Sequence, residues 1–264
     1  MWPGVSPGEM WPAGTSPAVM WPAGTSPVSE VAGLQILPVI GLEEVRSGDV
    51  LAASIAGASR PGLRHGDVVV VTQKVVSKAE GRVVALDPGA AAARRRLVEQ
   101  EAVRVLRRRD DLLITETVHG FVCANAGIDL SNVAPGHAAL LPIDPDRSAR
   151  RIRDGLRART GLEVAVIVSD TFGRPWRRGA TDVAIGCAGI AAVVDLRGSL
   201  DALGRVLETT EVAVADQLAS AAELVMGKSS GVPVAVVRGV DPAWLREASV
   251  RSEVVRPPAE DLFR

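Results

Sequence analysis

The run VAVIVSD, Val164 to Asp170, limits the folds open to this chain more than any other stretch. An unbroken series of apolar β-formers suits a buried strand, since a half-exposed one would alternate with polar residues. The chain then changes character to DTFGRPWRRG, so that Asp170 and Thr171 fall just past the carboxyl end of the strand, where open α/β sheets put their ligand chemistry. A second acidic turn, FVCANAGIDLSN, ends at Asn132, about forty residues earlier. Two carboxylates and a hydroxyl in such turns make an oxygen-rich pocket. It suits Mg²⁺ or Mn²⁺ more than Zn²⁺, which favours thiolate and imidazole, and an ion held this way commonly meets a phosphate.

Around that strand the chain alternates short apolar strands with helices, the pattern of a mixed α and β protein. LQILPVIG from Leu34 reads as a strand, about Asp49 to Ala58 as a helix, Asp67 to Val76 as a strand and Ala90 to Arg108 as a helix. Strands are expected at Leu112 to Glu116, Gly120 to Asn125 and Leu140 to Ile143. In DPDRSARRIRDGLRARTG, Asp144 or Asp146 can cap a helix, Pro145 suits its first turn, Ile152 and Leu156 share a face, and Gly161 stops it. Beyond Asp170 the reading gives strands at Asp182 to Ile185 and Ala188 to Val194. A helix from about Val212 to Met226 follows, ended by Gly227, and then a strand at Val234 to Val237.

Composition removes several function classes. With 30 basic against 31 acidic residues and 3% aromatics, the chain lacks both the positive field and the stacking platforms of a nucleic-acid binder. No apolar stretch is long enough to cross a membrane, and no signal peptide is read. Cys123 and Cys187 have no ligand-spaced neighbours, which suggests two reduced thiols in a cytoplasmic protein. Residues 1–30 hold a Pro-, Gly- and Ser-rich near-repeat, MWPGVSPGE, MWPAGTSPAV, MWPAGTSPVSE, too poor in apolar side chains to form a core and expected to be disordered. The segment 248–264 reads as a linker.

Each chemical motif has a plainer reading beside it. Asn125, Gly127, Asp129 and Asn132 could approach a ligand through Gly127 at positive φ, or Asp129 and Ser131 could cap a short helix. Asp170 and Thr171 carry the same ambiguity, and it is the pair of turns that favours a metal. Arg174, Arg177 and Arg178 suit phosphate or carboxylate, or surface pairing. Lys78 in VVSKAEGR could reach a phosphate as a point charge or pair with Glu80. MGKSSG lacks the upstream glycine and the element order of a P-loop, although Gly227, Ser229, Ser230 and Gly231 can still offer amides to an anion.

Taken in order, LPVIGLEEV, VVSKAEGR, NAGIDLSN, the DTFGRPWRRG turn and the ADQLASAAELVMGK helix resemble the coenzyme F-420 glutamyl ligase family, over about Leu34 to Val240. The resemblance implies an α+β catalytic domain of two subdomains at residues 31–247 and an intertwined homodimer. Its implied reaction is GTP-dependent: a deazaflavin precursor carboxylate is phosphorylated, L-glutamate attacks the acyl phosphate, and further glutamates join through γ-linkages. Alternatives are an amide ligase acting on another carboxylic acid and a non-catalytic deazaflavin carrier. By matching position, Asp129 and Asp170 would hold one Mg²⁺ or Mn²⁺, Thr171 would contact a second, and a monovalent cation such as K⁺ could accompany them. Nucleotide contacts would fall on Leu42, Glu43, Glu44, Val45, Gln73, Lys74, Lys78, Asn132, Met226, Gly227, Lys228, Ser229, Ser230 and Gly231. Asp129, Asp170, Lys78 and Arg174 would be catalytic. Compared with archaeal relatives, Gln73 and Lys74 replace a small hydroxylated pair, and Lys228 stands where an acidic residue would assist the second ion. Actinobacterial relatives continue past this point into a flavin-binding domain.

Overall fold

The computed structural model describes residues 33–58, 60, 62–87, 89 and 91–262; the N-terminal near-repeat, expected to be disordered, lies outside the described residues. The elements run β1 (Gln35–Pro38), α1 (Leu51–Ala58), β2 (Val68–Thr72), α2 (Gln73–Ala79), β3 (Val83–Ala85), α3 (Ala91–Glu101), β4 (Ala102–Arg109), β5 (Leu112–Thr117) and β6 (Val122–Ala124). They continue β7 (His137–Ala139), α4 (Pro145–Thr160), β8 (Ala165–Arg174), β9 (Arg177–Ala188), β10 (Val194–Asp195), β11 (Glu211–Val212), α5 (Val214–Met226), β12 (Val234–Arg238) and α6 (Val250–Glu253). The architecture is α+β, as expected.

The principal sheet has the order β1-β12-β2-β8-β9, antiparallel except for the β2–β8 pair. Val68 to Val71 and Val166 to Val168 are wholly shielded from solvent. A strand buried at every position must be covered on both faces, and α4 and α5 pack against this sheet to supply cover. Helix α4 is built as its sequence suggests. Asp144 accepts from the Arg147 N–H at 2.9 Å, Pro145 opens the first turn, and Gly161 closes it in the left-handed region at φ 69°. A second apolar cluster, including Leu86, Val98, Leu113, Ile128 and Leu140, lies among β3, α3, β5 and the turn before Asp129.

Several boundaries differ from expectation, each for a tertiary reason. The apolar run from Asp67 does not remain a strand to Val76. It ends at Thr72, and α2 begins at once, with Val75 and Val76 buried from a helix instead. A short valine run cannot by itself distinguish the two states. The arginine-rich helix stops at Glu101, because Ala102 to Arg109 pairs with β5 as an edge strand whose arginines face solvent. Leu140 to Ile143 is irregular, with β7 lying just before it. Ala188 closes β9 and Val194 opens β10, and the residues between them are not a strand. Their amides find other partners: Ala191 donates to the Trp244 carbonyl, while Ala192 and Val193 both donate to the Glu253 carboxylate.

Those contacts also alter the reading of the C-terminal segment as a linker. Val250 is fully buried, and the Asp146 carboxylate accepts from the amides of Cys187, Val250 and Arg251 at 2.9, 2.9 and 3.1 Å. Residues 249–254 are therefore clamped onto the start of α4 and the end of β9.

Candidate functional site

Asp170 and Thr171 do not lie in a turn past the strand. They are inside β8, which runs on to Arg174 and returns as β9 in a long hairpin. The hairpin carries two irregularities, one near its tip, where Arg174 pairs with Arg177 while Gly173 pairs with Ala180. Gly179, at φ 82°, accommodates the extra residues. The consequence is that Thr171 faces Asp182. Asp182 is buried and accepts from the Ser169 hydroxyl at 2.9 Å and the Thr171 hydroxyl at 2.6 Å. Its own amide donates to Glu223 of α5 at 2.9 Å.

Asp129 is delivered by a strained turn. Asn125, Ala126 and Gly127 occupy successive left-handed conformations, at φ 50°, 54° and 70°. The first two are expensive for side-chain-bearing residues and are held by Asn125 accepting from the Leu113 N–H and by the Ala126 N–H donating to Thr115. Gly127 is required for a further reason: a Cβ there would lie 2.8 Å from the Leu141 side chain. Asp129 then bridges to Ala139, and its carboxylate receives the Ser131 N–H at 2.7 Å and the Lys74 ammonium at 2.6 Å. Asn132 spans the gap to the loop after α5, donating to the Lys228 carbonyl at 3.3 Å.

Beside these carboxylates opens a cavity of about 510 Å³. Of the residues expected to contact a nucleotide, Leu42, Glu43, Glu44, Val45, Lys74, Lys78, Asn132, Gly227, Lys228 and Gly231 line it, joined by Thr72, Val75, Val133, Ala134, Val232 and Pro233. Four do not. Gln73 is buried with its carbonyl oxygen bound to the Ser77 hydroxyl, Met226 is in the core, and Ser229 and Ser230 are exposed on the loop. Lys78 sits on α2 and pairs with Glu44 at 2.5 Å, not with Glu80, which takes the Ser148 hydroxyl. Arg174, Arg177 and Arg178 are exposed at the hairpin end, Arg174 donating to the Arg178 carbonyl at 3.3 Å, and none lines the cavity.

The electrostatics separate the two carboxylates. Burial by itself would raise Asp129, but hydrogen bonds from Lys74 and Ser131 hold it below the usual carboxylate range. Asp170 moves the other way, to about 7: burial is the main cause, and the charges of Asp129 and Asp182 add to it. Its carboxylate receives only the Thr171 N–H, at 2.8 Å, and no salt bridge reaches it among the described residues. β6 packs on β8, and the Cys123 thiol, buried near Asp170, is pushed up to about 12, which leaves it inert. Asp170, buried without a bound cationic side chain, and Asp129, which keeps lone pairs beside Lys74, are the two carboxylates that could hold a hard divalent cation, and among the described residues no third His, Cys, Asp or Glu joins them. Thr171 does not offer the same fit. Its hydroxyl donates to Asp182 and accepts from the Lys228 ammonium, which also meets Asp182 at 2.9 Å and Glu223 at 2.8 Å.

The family model described as F420-0:Gamma-glutamyl ligase matches residues 39–239. This chain belongs to that family. A curated relative from Methanothermobacter thermautotrophicus, named coenzyme F420:L-glutamate ligase, is 44% identical over 250 residues, covering 88% of this chain and 99% of the relative. Relatives of the same name from Methanopyrus kandleri and Methanocaldococcus jannaschii are 44% and 38% identical, covering 88% and 89% of this chain and 98% and 96% of their own lengths. In this glutamyl ligase family member, two site residues escape a reading of the sequence, Asp182 and Glu223. An Asp inside GATDVAIG and a Glu on the flank of an apolar helix are ordinary in isolation. Counting back from the hairpin tip without its irregularity would set Ala180, not Asp182, opposite Thr171.

Proposed function

We propose that this chain is a GTP-dependent ligase that joins L-glutamate to the deazaflavin precursor of coenzyme F-420 and then adds further glutamates through γ-linkages. The observation that carries the reading is the cavity wall that unites Lys74, Lys78, Lys228 and the glycine-bearing loop after α5, with Lys74 reaching from that wall to the Asp129 carboxylate at 2.6 Å. The shared family and the relatives' names supply the substrate.

The chemistry required matches that arrangement. A carboxylate is a poor electrophile until one oxygen becomes a leaving group. A carboxylate oxygen of the precursor would attack the γ-phosphorus of GTP, releasing GDP. The amine of glutamate would then attack the acyl carbon, releasing phosphate and passing its proton to solvent. Bringing two anions together for the first step demands fixed positive charge. Lys74 and Lys78 would provide it from the cavity wall, where they pair with Asp129 and Glu44, and the loop around Gly227 and Gly231 would bring backbone close to the phosphates. A divalent ion on Asp129 and Asp170, Mg²⁺ or Mn²⁺, would neutralise phosphate oxygens. Arg174 would serve only if the hairpin end folds toward a substrate or a second subunit, and the reading includes a homodimer in the cytoplasm.

Incubating the protein with GTP, Mn²⁺, glutamate and the precursor tests this. GDP and a glutamylated product are expected, with Asp170→Asn abolishing turnover while circular dichroism stays unchanged. Precursor binding without GDP release, unaffected by Asp170→Asn, would make the protein a carrier and overturn the proposal.

A further inference from the structure

The loop after α5 brings a lysine to a position with the attributes of a cation site. Lys228 Nζ meets three oxygens from three separate elements: the Thr171 hydroxyl on β8, Asp182 Oδ1 on β9 at 2.9 Å, and Glu223 Oε1 on α5 at 2.8 Å. The cradle is built independently of the lysine. Asp182 is anchored by the Ser169 and Thr171 hydroxyls, and Glu223 by the Asp182 amide at 2.9 Å. An ammonium has three donors and no acceptor, so these three oxygens match its whole hydrogen-bonding capacity. Asp182 is buried, and two carboxylates brought this close repel one another unless a cation lies between them.

We infer that Lys228 acts as a tethered cation in place of a second metal ion, so that this chain binds one divalent ion, between Asp129 and Asp170, and none at Thr171. The inference rests on the proposed nucleotide and metal site and sharpens it. The Thr171 hydroxyl spends its proton on Asp182 and presents a lone pair to Lys228, and the carboxylate oxygens that would complete an ion's shell end on the same ammonium. The Asp129–Asp170 end differs. Asp170 has no cationic side chain bound to it among the described residues, and the Asp129 carboxylate keeps unused lone pairs despite Lys74. A divalent ion would therefore add charge beside Asp170, which has no bound cationic side chain among the described residues. At Thr171 it would have to displace a covalently attached competitor, present at high effective concentration.

The Lys228 side chain is about half exposed on a loop, so its replacement leaves the core untouched. The test is equilibrium dialysis of full-length protein against Mn²⁺ with a slowly hydrolysed GTP analogue, paired with manganese anomalous density in crystals. Wild type should hold one Mn²⁺ per chain, against Asp129 and Asp170. Lys228→Gln should hold two, the second touching Thr171, Asp182 and Glu223, and Lys228→Arg should remain at one. Two ions in wild type, or one in Lys228→Gln, would overturn the inference while leaving the ligase reading intact. Failure of any form to bind manganese with nucleotide would overturn both.

Discussion

Replacing Asp170 by Asn should make the metal-free protein more stable at alkaline pH, by an amount set by the carboxyl's surroundings. The folded carboxyl titrates near 7 against 3.8 when solvated, because it is buried and lies within the fields of the Asp129 and Asp182 charges. Between those values the folded state binds the extra proton, so stability falls as pH rises through that window and levels off above about pH 7. A rise of that size corresponds to about 4 kcal/mol at pH 8, and to about 2 kcal/mol at pH 5. Asparagine keeps the shape and carries no charge. The stability gained by Asp170→Asn should therefore grow by about 2 kcal/mol from pH 5 to pH 8. Urea unfolding of both proteins in the presence of a chelator reads this directly as a difference in midpoints at constant m. Saturating Mn²⁺ at pH 8 should raise the wild-type midpoint and leave the variant's unchanged. A variant that is less stable at pH 8, or a difference that does not vary with pH, would refute the claim that Asp170 is held ionised against its surroundings.

Two further outcomes concern the frame around the site. Asp146→Ala removes the acceptor shared by the amides of Cys187, Val250 and Arg251 and should cost on the order of 3 kcal/mol, with limited proteolysis cutting first around residues 249–254. Gly186→Ala should prevent α4 from seating on β9, since the added Cβ would lie 2.3 Å from the Pro145 carbonyl carbon; a loss above about 3 kcal/mol, read by thermal unfolding, is expected, and a neutral result would contradict the packing.

The turns and helix ends near the cavity were legible because they are local features. Asp129 and Asn132 follow a glycine turn, Lys78 closes an apolar run, and Gly227 ends a clear amphipathic helix. Ten of the expected nucleotide residues line one cavity. Gln73 and Met226 were expected beside them by position-matching to the family, and they lie in the interior instead. Helical periodicity turns the side chains of Gln73 and Lys74 in different directions, burying the first and presenting the second. The plainer reading of Lys78, pairing with Glu80, named the wrong partner for the same reason, since Glu44 lies thirty-four residues away and Glu80 is drawn to Ser148.

What the sequence determined by itself is what depends on short-range patterning: the buried strands, the capped helix Pro145–Thr160, the glycines at reversals, and the acidic turn that carries Asp129. The tertiary structure decided which oxygens share a charge. The irregularity near the hairpin tip sets Asp182 across from Thr171, α5 packs Glu223 beside them, and the loop beyond places Lys228 on all three. Coulomb energies depend on separations of a few ångströms between groups up to fifty-seven residues apart in the chain. No local pattern of residues encodes those separations, and only the assembled sheet sets them.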